Sequence, residues 1–153
     1  GGAGRPPANP CSVVESGRSY AGLEWGGNAR GGRGGSIRIA PGACRECAVQ
    51  EAGVITFIAE EAGKAILEGR ACEGKASLVL RGVGAEVRGL TFRNIVVRDG
   101  NGAGIRLERG QLNVAYSRFL DSQQGILTAN DPSSRSEERR VGEEGRTRWS
   151  PYH

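Results

Sequence analysis

From residue 36 onward the chain is a succession of short apolar–polar runs divided by glycine and polar turns, and their spacing leaves few folds open. One series starts at Ile37, Ile55, Leu78, Ile105 and Ile126, at intervals of 18, 23, 27 and 21 residues. A second interleaves at Val49, Ile66, Val87 and Val114, at intervals of 17, 21 and 27. A shift of 27 superposes Val87 on Val114, Phe92 on Phe119 and Asn94 on Asp121. Self-similarity near 22 residues marks a repeat array rather than a single sheet. A leucine-rich repeat needs Leu at fixed places and an Asn or Cys in each turn, and helical repeats need periodic runs of about 10–15 residues; the chain has neither.

Runs of four to six residues that alternate, as in Ile105-Arg106-Leu107-Glu108, fit the coils of a parallel β-helix. Each coil then turns Val, Ile, Leu or Phe inward onto the next at about 4.8 Å. The expected fold is all-β, a right-handed parallel β-helix of four to five coils over residues 36–134. A small antiparallel sandwich with coincidental spacing is the competing architecture. Asn94 and Asp121 fall at one turn of the solenoid, where stacked polar side chains can hydrogen-bond along the axis. Residues 1–19 are a Gly/Pro/Ala-rich lead. Residues 20–35 carry Tyr20, Leu23 and Trp25 behind a candidate N-cap at Ser19, the pattern of a short capping helix, although Gly26 and Gly27 oppose it at roughly 1 kcal/mol each.

Several segments carry a family likeness: SIRIAPG followed by Arg45-Glu46, GLTFRNI at 89–95, NGAGIRLERG at 101–110 and QQGILTAN at 123–130. With these, residues 36–130 resemble the right-handed parallel β-helix repeats of the pectate-lyase-like superfamily. The resemblance implies a helix capping the first coil. It also implies an exported or surface protein that recognises or cleaves an acidic or neutral polysaccharide. Cys44 stands where such proteins commonly show Tyr in a Pro-Gly-x-Tyr-Arg-Glu segment, which marks an imperfect first coil. The motifs specify architecture better than activity, so a non-catalytic structural or adhesive β-helix stays open beside the enzyme.

Residues 135–153, RSEERRVGEEGRTRWSPYH, break from this pattern: nine of the nineteen are charged and the apolar periodicity ends. They resemble a common sequencing adapter translated in reverse complement, RSEERRVGKECRSRWSPYH. Only Glu143, Gly145 and Thr147 depart from it, each by a single base change. The expectation is a non-native tail on a fragment of a longer protein, with no role for Trp149, Tyr152 or His153. A basic, Trp-containing tail that binds nucleic acid or membrane is the alternative.

Composition narrows the chemistry. The one His is His153, and Met is absent. No Ser-His-Asp triad, Cys-His pair or multi-His metal site can be built from this chain. No run of 18 or more apolar residues is present, so no membrane span is expected. Net charge is +4, and the charges are interspersed, which argues against a nucleic-acid partner. The doubled RGG of Arg30–Gly35 is the one segment that invites an RNA reading, against a Gly-rich loop leading into the first coil. Gly100–Gly104 precedes a strand rather than a helix, so it reads as a turn between coils and not as a phosphate loop.

Cys44 and Cys47 form a C-x₂-C pair with no second pair to complete a zinc site. Cys47 and Cys72 are 25 residues apart, about one coil. Neighbouring coils hold matching Cα atoms about 5 Å apart, inside the disulfide range, so a Cys47–Cys72 bridge is expected, with two buried free thiols as the alternative. Such a bridge indicates an extracytoplasmic compartment. Carbohydrate chemistry calls for paired carboxylates or a Ca²⁺ cluster. The Asp residues are Asp99, Asp121 and Asp131 alone, and no cofactor or metal is indicated here. Arg106 and Glu108 project from one strand face and are the candidate substrate-binding pair; a solvated ion pair is the bland reading. Val79 and Leu127 hold the comparable outward places, so no carboxylate cluster is expected around them.

Overall fold

A computed structural model describes residues 35–128 in full, together with the backbone of residues 13–15, 18–20, 137–141 and 146–150. The architecture is a right-handed parallel β-helix of four coils, all-β among the described residues. The first coil runs through β3 (Gly35–Ile39), β4 (Gly42–Cys44) and β5 (Ala48–Gln50), and the second through β6 (Val54–Ala59), β7 (Ala65–Glu68) and β8 (Ala76–Leu80). The third holds β9 (Gly84–Arg88), β10 (Leu90–Arg93) and β11 (Ala103–Leu107); the fourth holds β12 (Gln111–Ala115), β13 (Arg118–Leu120) and β14 (Gln124–Thr128). Stacking them makes three parallel faces: A (β3-β6-β9-β12), B (β4-β7-β10-β13) and C (β5-β8-β11-β14).

Alternation sets which residues enter the core. On β6 (VITFIA) the residues at even spacing from Ile55 are buried and those between them are not, the period-2 pattern of a strand with one covered face. Register turns this into ladders, one residue per coil. Face A contributes Ile37, Phe57, Val87 and Val114. Face B contributes Cys44, Leu67, Phe92 and Phe119, and face C contributes Ala48, Leu78, Ile105 and Ile126. Almost all of these are nearly inaccessible to solvent, and burying each large side chain stabilises by about 1.5–3 kcal/mol. The Phe92 and Phe119 rings stack with centroids 5.0 Å apart. Gly104 passes beneath them, where any Cβ would stand 2.7 Å from Phe119.

The sequence ladders differ from these in one respect. Ile37 and Ile55 belong to face A, whereas Leu78, Ile105 and Ile126 belong to face C. The second series likewise crosses faces: Val49 lies in C, Ile66 in B, Val87 and Val114 in A. All three faces carry the same alternation, so spacing alone does not tell them apart. The 27-residue shift does pair residues of one face, joining Val87 to Val114 and Phe92 to Phe119.

Face A is extended at both ends by antiparallel pairing. β1 (Val13–Glu15) pairs with β3 and with β2 (Arg18–Tyr20). At the far end β16 (Arg146–Ser150) pairs with β12, and β15 (Glu137–Val141) with β16. The stretch likened to translated adapter thus contributes a hairpin to the end of face A. The capping helix expected over 20–35 lies outside the described residues, except that Tyr20 ends β2 and Gly35 opens β3. The Arg30–Gly35 loop lies outside them too, apart from Gly35.

Candidate functional site

The expected pair, Arg106 and Glu108, sits at the end of β11 in face C, with Arg106 in register between Val79 and Leu127. Val79 packs outside the main core with Val49, Cys47, Cys72, Ala76 and Ala103, and Leu127 rests against this outer strip. Contrary to expectation, carboxylates do gather here. Arg81 Nε donates to Glu108 Oε1 at 2.7 Å and its Nη1 to Glu51 Oε2 at 3.2 Å, while Nη2 donates to Glu73. Lys75 Nζ donates to Glu108 Oε2 at 2.8 Å, and Arg106 Nε lies 3.5 Å from the same oxygen.

The cause is the turn after face C. Gln50 pairs with Leu80, and Leu80 with Leu107, so the residues that follow, Glu51, Arg81 and Glu108, line up along the axis as a column of alternating charge. The loop between β7 and β8 adds Glu73 and Lys75. Burial pushes the Glu108 carboxyl up, but hydrogen bonds from Lys75 and Arg81 outweigh it and hold the group below its ordinary value. The hydrogen bond from Arg81 lowers Glu73 likewise, and its return effect raises Arg81. With its oxygens taken up by Lys75 and Arg81, Glu108 works first as a clamp between coils.

Asn94 and Asp121 occupy the same turn in successive coils, both in the left-handed region (φ 58° and 53°), in line with Gly69 (φ 73°). The Asn94 backbone N–H donates to Leu120 O at 3.0 Å. Its side chain, however, points along the axis the other way, with Nδ2 donating to Glu68 Oε2 at 3.0 Å. Arg93 Nε also donates to Glu68, at 3.1 Å, and these two hydrogen bonds lower the Glu68 carboxyl. Cys47 and Cys72 are joined by a disulfide with Cα atoms 5.6 Å apart, and Cys44 is also disulfide-bonded. The C-x₂-C thiols are therefore committed to sulfur rather than available to a metal. Among the described residues no group of three His, Cys, Asp or Glu side chains is placed to hold a metal ion, and no helix is long and apolar enough to cross a membrane.

The cleft that the sequence pattern did not single out lies where face A turns into face B. It encloses about 260 Å³ across the ends of β6, β9 and β12. Ile58, Ala59, Ala62 and Gly89 give it an apolar lining; Glu60, Arg88 and Tyr116 bring polar groups. Tyr116 is 51% exposed and takes φ 54°, at a turn where the coil before it places Gly89 (φ 75°). Left-handed backbone is uncommon for a bulky residue and costs about 1–2 kcal/mol, which glycine avoids. Ser117 holds the turn: its Oγ donates to Ala115 O at 3.1 Å and accepts from Leu90 N at 3.3 Å. A signal for this site was present in the sequence, because the 27-residue shift sets Tyr116 on Gly89, an aromatic where the preceding coil has a turn glycine.

The fold and this geometry define a parallel β-helix with an open, aromatic-bearing cleft on one corner. Comparison with protein-family models, curated proteins and solved structures finds no match.

Proposed function

We propose that this chain is part of an extracytoplasmic β-helix protein of the pectate-lyase-like kind and that it binds polysaccharide. The observation that carries the reading is Tyr116: a half-exposed ring kept in strained backbone on the rim of a cleft that also offers Arg88 and Glu60. Strain retained at a surface aromatic points to use rather than stability. A saccharide ring offers an apolar face to stack on such an aromatic and hydroxyls for charged hydrogen-bonding partners. The motif likeness at 89–95 and 101–110 supports the superfamily, and the disulfides support an oxidising compartment. Residues 135–153 are given no part in binding, on their likeness to translated adapter.

A structural or adhesive β-helix is the second reading, favoured by the Arg81 clamp, which commits Glu108 to holding coils together. Retention of the full chain on an array of immobilised neutral and acidic polysaccharides separates the two, with release of reducing ends distinguishing cleavage from binding. Saturable glycan retention, with no salt-sensitive RNA capture on filters, is the expected result. RNA capture without glycan retention would contradict it.

A further inference from the structure

We infer that the Tyr116 cleft takes a single uncharged pyranose ring of a neutral polysaccharide and rejects uronates; this rests on the polysaccharide reading above. Size comes first. At about 260 Å³ the cleft falls below the roughly 300–1,000 Å³ of sites that engulf drug-sized ligands, so it suits one ring of a chain whose neighbours stay outside. Charge comes second. The charged side chains on its lining are Glu60 and Arg88. Arg88 is already answered on its own strand, its Nη1 donating to Glu86 Oε2 at 3.0 Å. Glu60, exposed just past the end of β6, is the remaining charge on the lining itself. An incoming carboxylate meets Glu60 with its counter-cation already engaged, and like charges brought together oppose binding. A hydroxyl-bearing ring meets no such penalty: its hydroxyls donate to Glu60 and accept from the remaining Arg88 N–H groups, while its apolar face lies on Tyr116.

The neighbouring coil supplies the test variant. Tyr116→Gly removes the ring and restores the residue that Gly89 uses at the same turn, so the variant keeps the backbone and relieves its strain. The full chain and Tyr116→Gly are run by affinity electrophoresis in gels containing β-glucan, mannan, xylan, dextran or polygalacturonate. The expected result is retardation of the full chain by at least one neutral polymer and none by polygalacturonate. Tyr116→Gly should show an unchanged or higher melting temperature and binding at least about tenfold weaker. Retardation by polygalacturonate alone overturns the uncharged-ring inference and leaves the polysaccharide reading standing. Equal retardation of both proteins by a neutral polymer overturns the site. No retardation by any polymer removes the polysaccharide reading, and this inference with it.

Discussion

At the level of single residues, the solenoid depends on polar side chains that satisfy backbone groups between coils. Gln50 is 1% exposed, yet its Nε2 donates to Gly53 O at 2.9 Å and Gly84 O at 3.0 Å, and its Oε1 accepts from Gly82 N at 3.1 Å. Gln50→Leu keeps similar bulk but strands these groups, so chemical denaturation should show a loss of about 2 kcal/mol or more. The lowered carboxyls make a second prediction. Glu68, Glu73 and Glu108 all sit below their ordinary value of 4.5 in the fold. Their contribution is therefore complete above the unfolded value and is lost as pH falls through the folded ones. Melting temperature should hold steady above about pH 5 and decline below 4.5, and a melting temperature that rises on acidification would contradict the clamp. Gln50 was not legible in the sequence: it lies at an inward position of β5, in register with Leu80, where alternation predicts an apolar residue. Only the fold shows which backbone groups surround it.

Strands and turns show why the repeat could be read while its faces could not. From Ile37 to Phe57 to Val87 to Val114, face A advances by 20, 30 and 27 residues, because both the turns and the strands vary in length from coil to coil. A fixed period thus drifts from one face to the next, and the step that recurs within faces is the 27-residue one, found in faces A and B between the third and fourth coils and in face C between the second and third. The Cys47–Cys72 spacing was legible because it depends on the coil as a whole. That bridge closes a loop of 25 residues, for which chain-entropy arguments give about 3.5 kcal/mol. Cys47→Ala with Cys72→Ala should lower stability by about 3 kcal/mol in urea titration. A double variant as stable as the parent would show that the hydrogen bonds and ion pairs of the β7–β8 loop hold it without the bridge. The charge column Glu51–Arg81–Glu108 escaped the sequence for the same reason that the faces did: aligning it requires the register of three coils at once.

For the molecule as a whole, three faces share one core, and their corners differ in what closes them. The disulfide joins two coils at the corner between B and C, the ion pairs around Arg81 line the turn after face C, and the cleft occupies the corner between A and B. Antiparallel hairpins meet face A at both ends, so its edge strands β3 and β12 are not free to template another chain. On the polysaccharide reading proposed above, ligand enters at the A–B corner. Amide-resolved NMR of the full chain, titrated with an uncharged oligosaccharide drawn from the polymer that retards it, tests this directly. Shifts confined to the segments around Glu60–Ala62, Arg88–Gly89 and Tyr116 are expected. Shifts centred instead on Arg106, Glu108 and the face C turn would contradict it.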